Sequence, residues 1–184
     1  MVKPKGKNRK EKNQNFIGFI ALLSVVIFLI IVMYIMQVMN TQNTPVMVSN
    51  NILSIPLVGT DGRIYTLSNF TGKITLIEFM ATWCPHCKNM IPVLKQVYFE
   101  FKNKINIVSI GPDASDNLDT LRTYKSEYNI TWTILWDNGG VLAKKVNLQA
   151  YPTFMILSKN GEVLWSKVGE ISADDLKAVI SSHL

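Results

Sequence analysis

The sequence predicts an α/β domain built on a mixed β-sheet. Three observations carry the prediction. From Leu53 onward, apolar strand-like runs alternate with helical patterns. Turn signals at Thr60-Asp61-Gly62 and Ser158-Lys159-Asn160-Gly161 mark hairpins toward both ends of that stretch, because glycine accepts a positive φ. Between them, both cysteines of the 184-residue chain lie in Ala81-Thr82-Trp83-Cys84-Pro85-His86-Cys87-Lys88, where an apolar run ends and a helical pattern begins. A Cys-x-x-Cys at such a junction reads as a redox dithiol.

In chain order, residues 1–15 form a polar tip in which Lys3, Lys5, Lys7, Arg9, Lys10 and Lys12 are opposed only by Glu11. That composition predicts disorder. The tip accounts for most of the formal charge of +6, so the remainder is nearly balanced. A nucleic-acid partner therefore loses its electrostatic support. From Phe16 to Met36 only Gly18, Ser24 and Tyr34 interrupt an aliphatic and aromatic run. About 21 residues at ~1.5 Å each span roughly 32 Å, enough for a bilayer core. No Ala-x-Ala-like cleavage site follows in Gln37-Val38-Met39-Asn40-Thr41, so the reading is an uncleaved transmembrane anchor over residues 16–37 rather than a signal peptide. The basic tip is expected in the cytoplasm and the rest outside, where disulfides persist. Residues 38–51 read as a polar tether, and residues 52–184 as the folded domain.

Within that domain the expected elements are a hairpin of Leu53–Val58 and Arg63–Leu67, then a two-sided buried strand Ile74–Met80. A helix over Met90–Phe101 carries Pro92, which should kink it. A strand Ile105–Ile110 follows, then a helix to about Tyr128 and a strand Thr131–Trp136. The remaining elements are a short helix Val141–Val146, a hairpin of Thr153–Leu157 and Glu162–Val168, and an amphipathic helix Ser172–Ser182.

These residues resemble the thioredoxin superfamily in its TlpA/ResA-like, membrane-anchored branch. Four separated matches carry the resemblance: Trp83-Cys84-Pro85-His86-Cys87, Pro92 in the following helix, Tyr151-Pro152-Thr153 before a strand, and Lys159-Asn160-Gly161-Glu162-Val163 with Val168-Gly169. The resemblance implies a thioredoxin-like fold with a central mixed sheet flanked by helices and led by a β-hairpin. It also implies thiol-disulfide exchange and a cis peptide before Pro152. Glu78 stands where thioredoxin keeps a buried acid, without that acid's lysine in Thr131–Trp136. Met90 occupies the place where many ResA-like reductases carry an acidic residue. The Pro85-His86 dipeptide resembles that of DsbA-like oxidants.

The chemistry follows from position. Cys84, at a helix N-terminus, meets free N–H groups and the positive end of the helix dipole, which favour the attacking thiolate. Cys87, one turn further in, is expected to be the resolving thiol. His86 would stabilise the thiolate, Trp83 would flank the sulfur, and Tyr151 beside Pro152 would offer backbone to a substrate strand. Glu78 reads either as a solvated edge carboxylate or as a desolvated acid exchanging a proton with Cys87.

Such exchange needs no cofactor and no metal. Its partners would be exported thiol or disulfide proteins and a membrane or extracytoplasmic redox partner that recycles the dithiol. The alternatives fare worse. A two-residue disulfide loop stabilises little, and His86, His183 and the cysteines lack zinc spacing. A Sco-type copper site wants a different cysteine spacing. A peroxiredoxin-like peroxidase shares the hairpin but not the Cys-x-x-Cys. A DsbA-like oxidant and a non-catalytic copper or interaction module stay as alternatives.

Overall fold

The computed structural model describes residues 25–35 and 52–184. The chain divides into two units, Met1–Thr44 and Pro45–Leu184. In the first, residues 25–35 form a helix, α1, whose apolar side chains are all exposed. No helix among the described residues is long and apolar enough to cross a membrane. The basic tip, the tether and the rest of the expected anchor lie outside the described residues.

The second unit begins with β1 (Leu57–Gly59), β2 (Ile64–Tyr65) and a single 3-10 turn (Leu67–Phe70). β3 (Thr75–Phe79), α2 (Pro85–Phe101), β4 (Asn106–Gly111), α3 (Leu118–Glu127), β5 (Thr133–Trp136) and α4 (Val141–Lys145) follow. It ends with β6 (Thr153–Leu157), β7 (Val163–Val168) and α5 (Ala173–Ser181). The seven strands form one sheet in the order β2-β1-β5-β4-β3-β6-β7. β3, β4 and β5 run parallel. β6, β7, β1 and β2 pair antiparallel to their neighbours. The expected mixed sheet is present.

The leading hairpin is shorter than expected, for two local reasons. Pro56 has no N–H to give a ladder, so β1 starts after it. Thr66 leaves the β2 ladder because its N–H is taken by Asn69 Oδ1 at 2.7 Å, opening the 3-10 turn. The helix expected from Met90 starts at Pro85, a residue suited to the first helical position because its missing N–H would be unpaired there anyway. It continues through Pro92, which leaves the Lys88 carbonyl without its usual partner.

All five residues of β3 are buried. Successive side chains face opposite sides, so Leu76 and Met80 join the layer containing Leu94, Val97 and Phe154, while Ile77 and Phe79 join that of Leu57, Leu135 and Leu142. Glu78 shares the parity of Leu76 and Met80. It therefore points into the layer that contains α2.

Candidate active site

The site lies where β3 gives way to α2. Met80 makes one further backbone bond, its N–H to the Ile110 carbonyl at 2.9 Å, before the chain leaves the sheet. The next turn is held from the loop ahead of α3. Asp116, 4% exposed, accepts the Thr82 N–H on Oδ2 at 3.1 Å and the Thr82 hydroxyl on Oδ1. Asp116→Ala would strip both partners from Thr82, and is expected to lower stability by about 1–3 kcal/mol in urea unfolding.

That anchored turn delivers Cys84 to the N-cap of α2, where its Sγ accepts the Cys87 N–H at 3.2 Å. The sulfur thus sits against the unpaired amides of the first turn, a setting that stabilises negative charge. Cys84 is 3% exposed and Cys87 is fully buried. Burial pushes the Cys87 thiol well above the usual cysteine range. The hydrogen bond with Cys84 and the charge of Glu78 push the same way.

Glu78 is buried, at 4% exposure, so the solvated-edge alternative is excluded. Burial raises its carboxyl from the ordinary 4.5 to about 7, against a smaller opposing pull from Ser109. Ser109, its neighbour across the β3–β4 ladder, donates its hydroxyl to Glu78 Oε2 at 2.6 Å. Trp132 Nε1 in turn donates to Ser109 Oγ at 2.9 Å. Met90, in the place of the ResA-like acid, is buried core.

The exposed rim has its own order. His86 Nδ1 lies 2.6 Å from Glu170 Oε1, which also accepts from Asn89 Nδ2 at 3.0 Å. Those bonds, His86 first, hold the Glu170 carboxyl below its usual range. Trp83, 55% exposed, meets Tyr151 edge-on with centroids 6.2 Å apart. The Tyr151–Pro152 peptide is cis. Burial first, then the nearby Asp113, pushes the Tyr151 phenol up to about 12. A groove of about 480 Å³ runs from Tyr151 along Ala114, Gly140, Lys144 and Leu148.

The structure therefore brings Glu78, Trp83, Cys84, Pro85, His86, Cys87 and Tyr151 together around one helix end. Ser109, Asp116, Trp132 and Glu170 were not singled out as site residues from the sequence. Asp116 lies in the loop just ahead of α3, where an aspartate would ordinarily be taken for a helix cap. The actual cap of α3 is Asn117, which receives the N–H groups of Asp119 and Thr120.

Fold and site together define the class, a thioredoxin-like thiol-disulfide oxidoreductase. The chain belongs to the AhpC/TSA family, whose model matches residues 48–166. It is similar to the thiol-disulfide oxidoreductase ResA of Bacillus thuringiensis subsp. konkukian, 25% identical over 118 residues that cover 64% of this chain and 67% of the relative. It is similar also to the thioredoxin-like protein YneN of Bacillus subtilis, at 27% over 117 residues, 63% of this chain and 68% of that one. A secreted Mycobacterium tuberculosis disulfide oxidoreductase homologous to E. coli DsbE shares the fold at a TM-score of 0.64 and 23% identity, over 73% of this chain and 99% of that one. StoA from Bacillus subtilis matches at a TM-score of 0.59 and 25% identity, over 67% and 92% of the two chains.

Proposed function

We propose that the chain is a membrane-anchored, extracytoplasmic disulfide reductase of the ResA/DsbE type, working through Cys84 and Cys87. One observation carries the proposal. Cys84 caps α2 and accepts the Cys87 N–H, while the Cys87 thiol is buried behind it. This is the asymmetry an attacking and a resolving thiol require.

The Cys84 thiolate attacks one sulfur of a substrate disulfide, forming a mixed disulfide and expelling the other sulfur as a thiolate. Cys87 gives its proton to the Glu78 carboxylate and attacks Cys84 Sγ. The second substrate sulfur leaves, and the Cys84–Cys87 disulfide forms. The substrate gains two electrons and the dithiol loses two, which a recycling reductant on the same side of the membrane must restore. Trp83 and Tyr151 form the surface on which a substrate strand would lie, with Pro152 setting its edge. Anchoring by residues 16–37 is supported by the basic tip, the length of the apolar run and the exposed apolar helix α1. The domain limits 1–15, 16–37, 38–51 and 52–184 belong to the same proposal.

The opposite direction of electron flow has one observation in its favour. His86, held at the rim 2.6 Å from Glu170 Oε1, lies between the two cysteines in sequence, and a bond from its imidazole to the Cys84 thiolate would stabilise the dithiol form and make the disulfide a stronger oxidant. Equilibration of the full chain with glutathione decides between the two. A reductant is expected below about −250 mV, and a potential near about −120 mV would reassign the protein as an oxidant of exported proteins. Trapping with Cys87→Ala would recover the substrate as a mixed disulfide on Cys84.

A further inference from the structure

Glu78 is a buried acid whose only hydrogen-bond partner among the described residues is a serine hydroxyl. The groups that face it supply no positive charge. The Cys87 thiol on α2 and the Tyr124 phenol on α3 lie near enough to feel its charge, and its partner across the β6 ladder is the apolar Phe154. Lys125 of α3 is turned elsewhere, its Nζ donating to the Trp132 carbonyl. Burial and the charge of Glu78 push the Tyr124 phenol upward, as they do the Cys87 thiol. Neither neighbour favours a carboxylate.

A directional chain of donors stands in that place. An indole N–H can donate but never accept, so Trp132 Nε1 obliges Ser109 Oγ to accept at 2.9 Å. The hydroxyl has one proton, and Glu78 Oε2 at 2.6 Å is the acceptor bonded to it. While the serine proton points at Oε2, that oxygen is an acceptor, and a proton that Glu78 gains in this arrangement sits on Oε1.

We propose that Ser109 and Trp132 are positioning residues for Glu78, a donor chain that replaces an ion-pair partner and confines the exchangeable proton to the oxygen left free for Cys87. The proposal rests on the reading of Glu78 as the proton carrier. Trp132 is in turn pinned through its carbonyl by Lys125, so the chain reaches from α3 across the sheet to the dithiol.

The test is an infrared titration of the full chain, following the C=O stretch of the neutral Glu78 carboxyl, identified by its loss in Glu78→Gln. Ser109→Ala removes the bond that favours the charged form, and should move the midpoint upward by about one pH unit. Ser109→Thr, which keeps a hydroxyl, should restore it. Trp132→Phe keeps the ring but frees the serine proton, and should raise the midpoint by a smaller amount. Release of a preformed mixed disulfide should follow the same pH displacement. An unmoved carboxyl midpoint in folded Ser109→Ala and Trp132→Phe would overturn the donor chain. A midpoint that moves while release kinetics stay fixed would instead overturn the proton-carrier reading beneath it.

Discussion

Cys84→Ser is expected to reduce disulfide exchange to background, a loss of about three orders of magnitude or more. The reaction needs an anionic sulfur at the N-cap of α2, and a serine hydroxyl at neutral pH supplies no comparable nucleophile. Cys87→Ser should behave differently. The first attack persists, but release stalls and the mixed disulfide accumulates. Absorbance-monitored reduction of a chromogenic aromatic disulfide reads both variants. Exchange that survives in Cys84→Ser would show that the dithiol is not the reactive centre. A Cys84→Ser, Cys87→Ser double variant with full function in the cell would favour the non-catalytic alternative.

Glu78→Gln should have the second largest effect, on stability as well as on turnover. Burial raises the folded-state carboxyl to about 7, above its ordinary 4.5. Between those values the folded protein binds more protons than the unfolded chain, so stability falls as pH rises. The contribution is fully present below about 4.5 and lost through about 7. The displacement amounts to about 3 kcal/mol. Urea unfolding at pH 4.5, 6 and 8 should show the wild type weakening across this window and Glu78→Gln nearly level. The buried Cys87 thiol acts in the same sense but only at higher pH, outside the window. Parallel pH profiles for the two proteins would contradict a raised folded-state carboxyl. In single-turnover experiments, the amide of the Glu78→Gln variant cannot take the Cys87 proton, so release of the mixed disulfide should slow. Unchanged release would remove Glu78 from the mechanism.

The fold was legible because its signals are local and repeated. The Asp61-Gly62 and Asn160-Gly161 turns, the apolar run into Cys84, and the Cys-x-x-Cys with Pro92 and Pro152 each occupy a few consecutive residues. Element ends were less legible where one side chain overrides a hydrophobic pattern. Pro56 cuts β1 short, and Asn69 draws Thr66 out of β2. The cysteine pair was legible for the same reason as the fold. Its support was not, because every supporting bond joins residues far apart in sequence. Asp116 reaches back to Thr82, Glu170 to His86, and Ser109 to Glu78. Trp132 looked like the second residue of a strand, whereas β5 begins at Thr133 and its indole is free to turn toward Ser109. No periodicity encodes such a bond, which exists only once the parallel register of β3 and β4 is set.

That register has a further consequence for folding. β3 is buried on both faces and β4 on nearly all of its length, so apolar alternation says little about how the two strands should align. Sliding β3 by one position would still bury aliphatic side chains on either side of the sheet. What it would forfeit is the meeting of Glu78 with Ser109, leaving a carboxyl in hydrocarbon without its donor, at a cost of about 1–3 kcal/mol or more. The acid held beside the dithiol thus also serves as an alignment mark, penalising misregistered sheets that the greasy residues around it would tolerate.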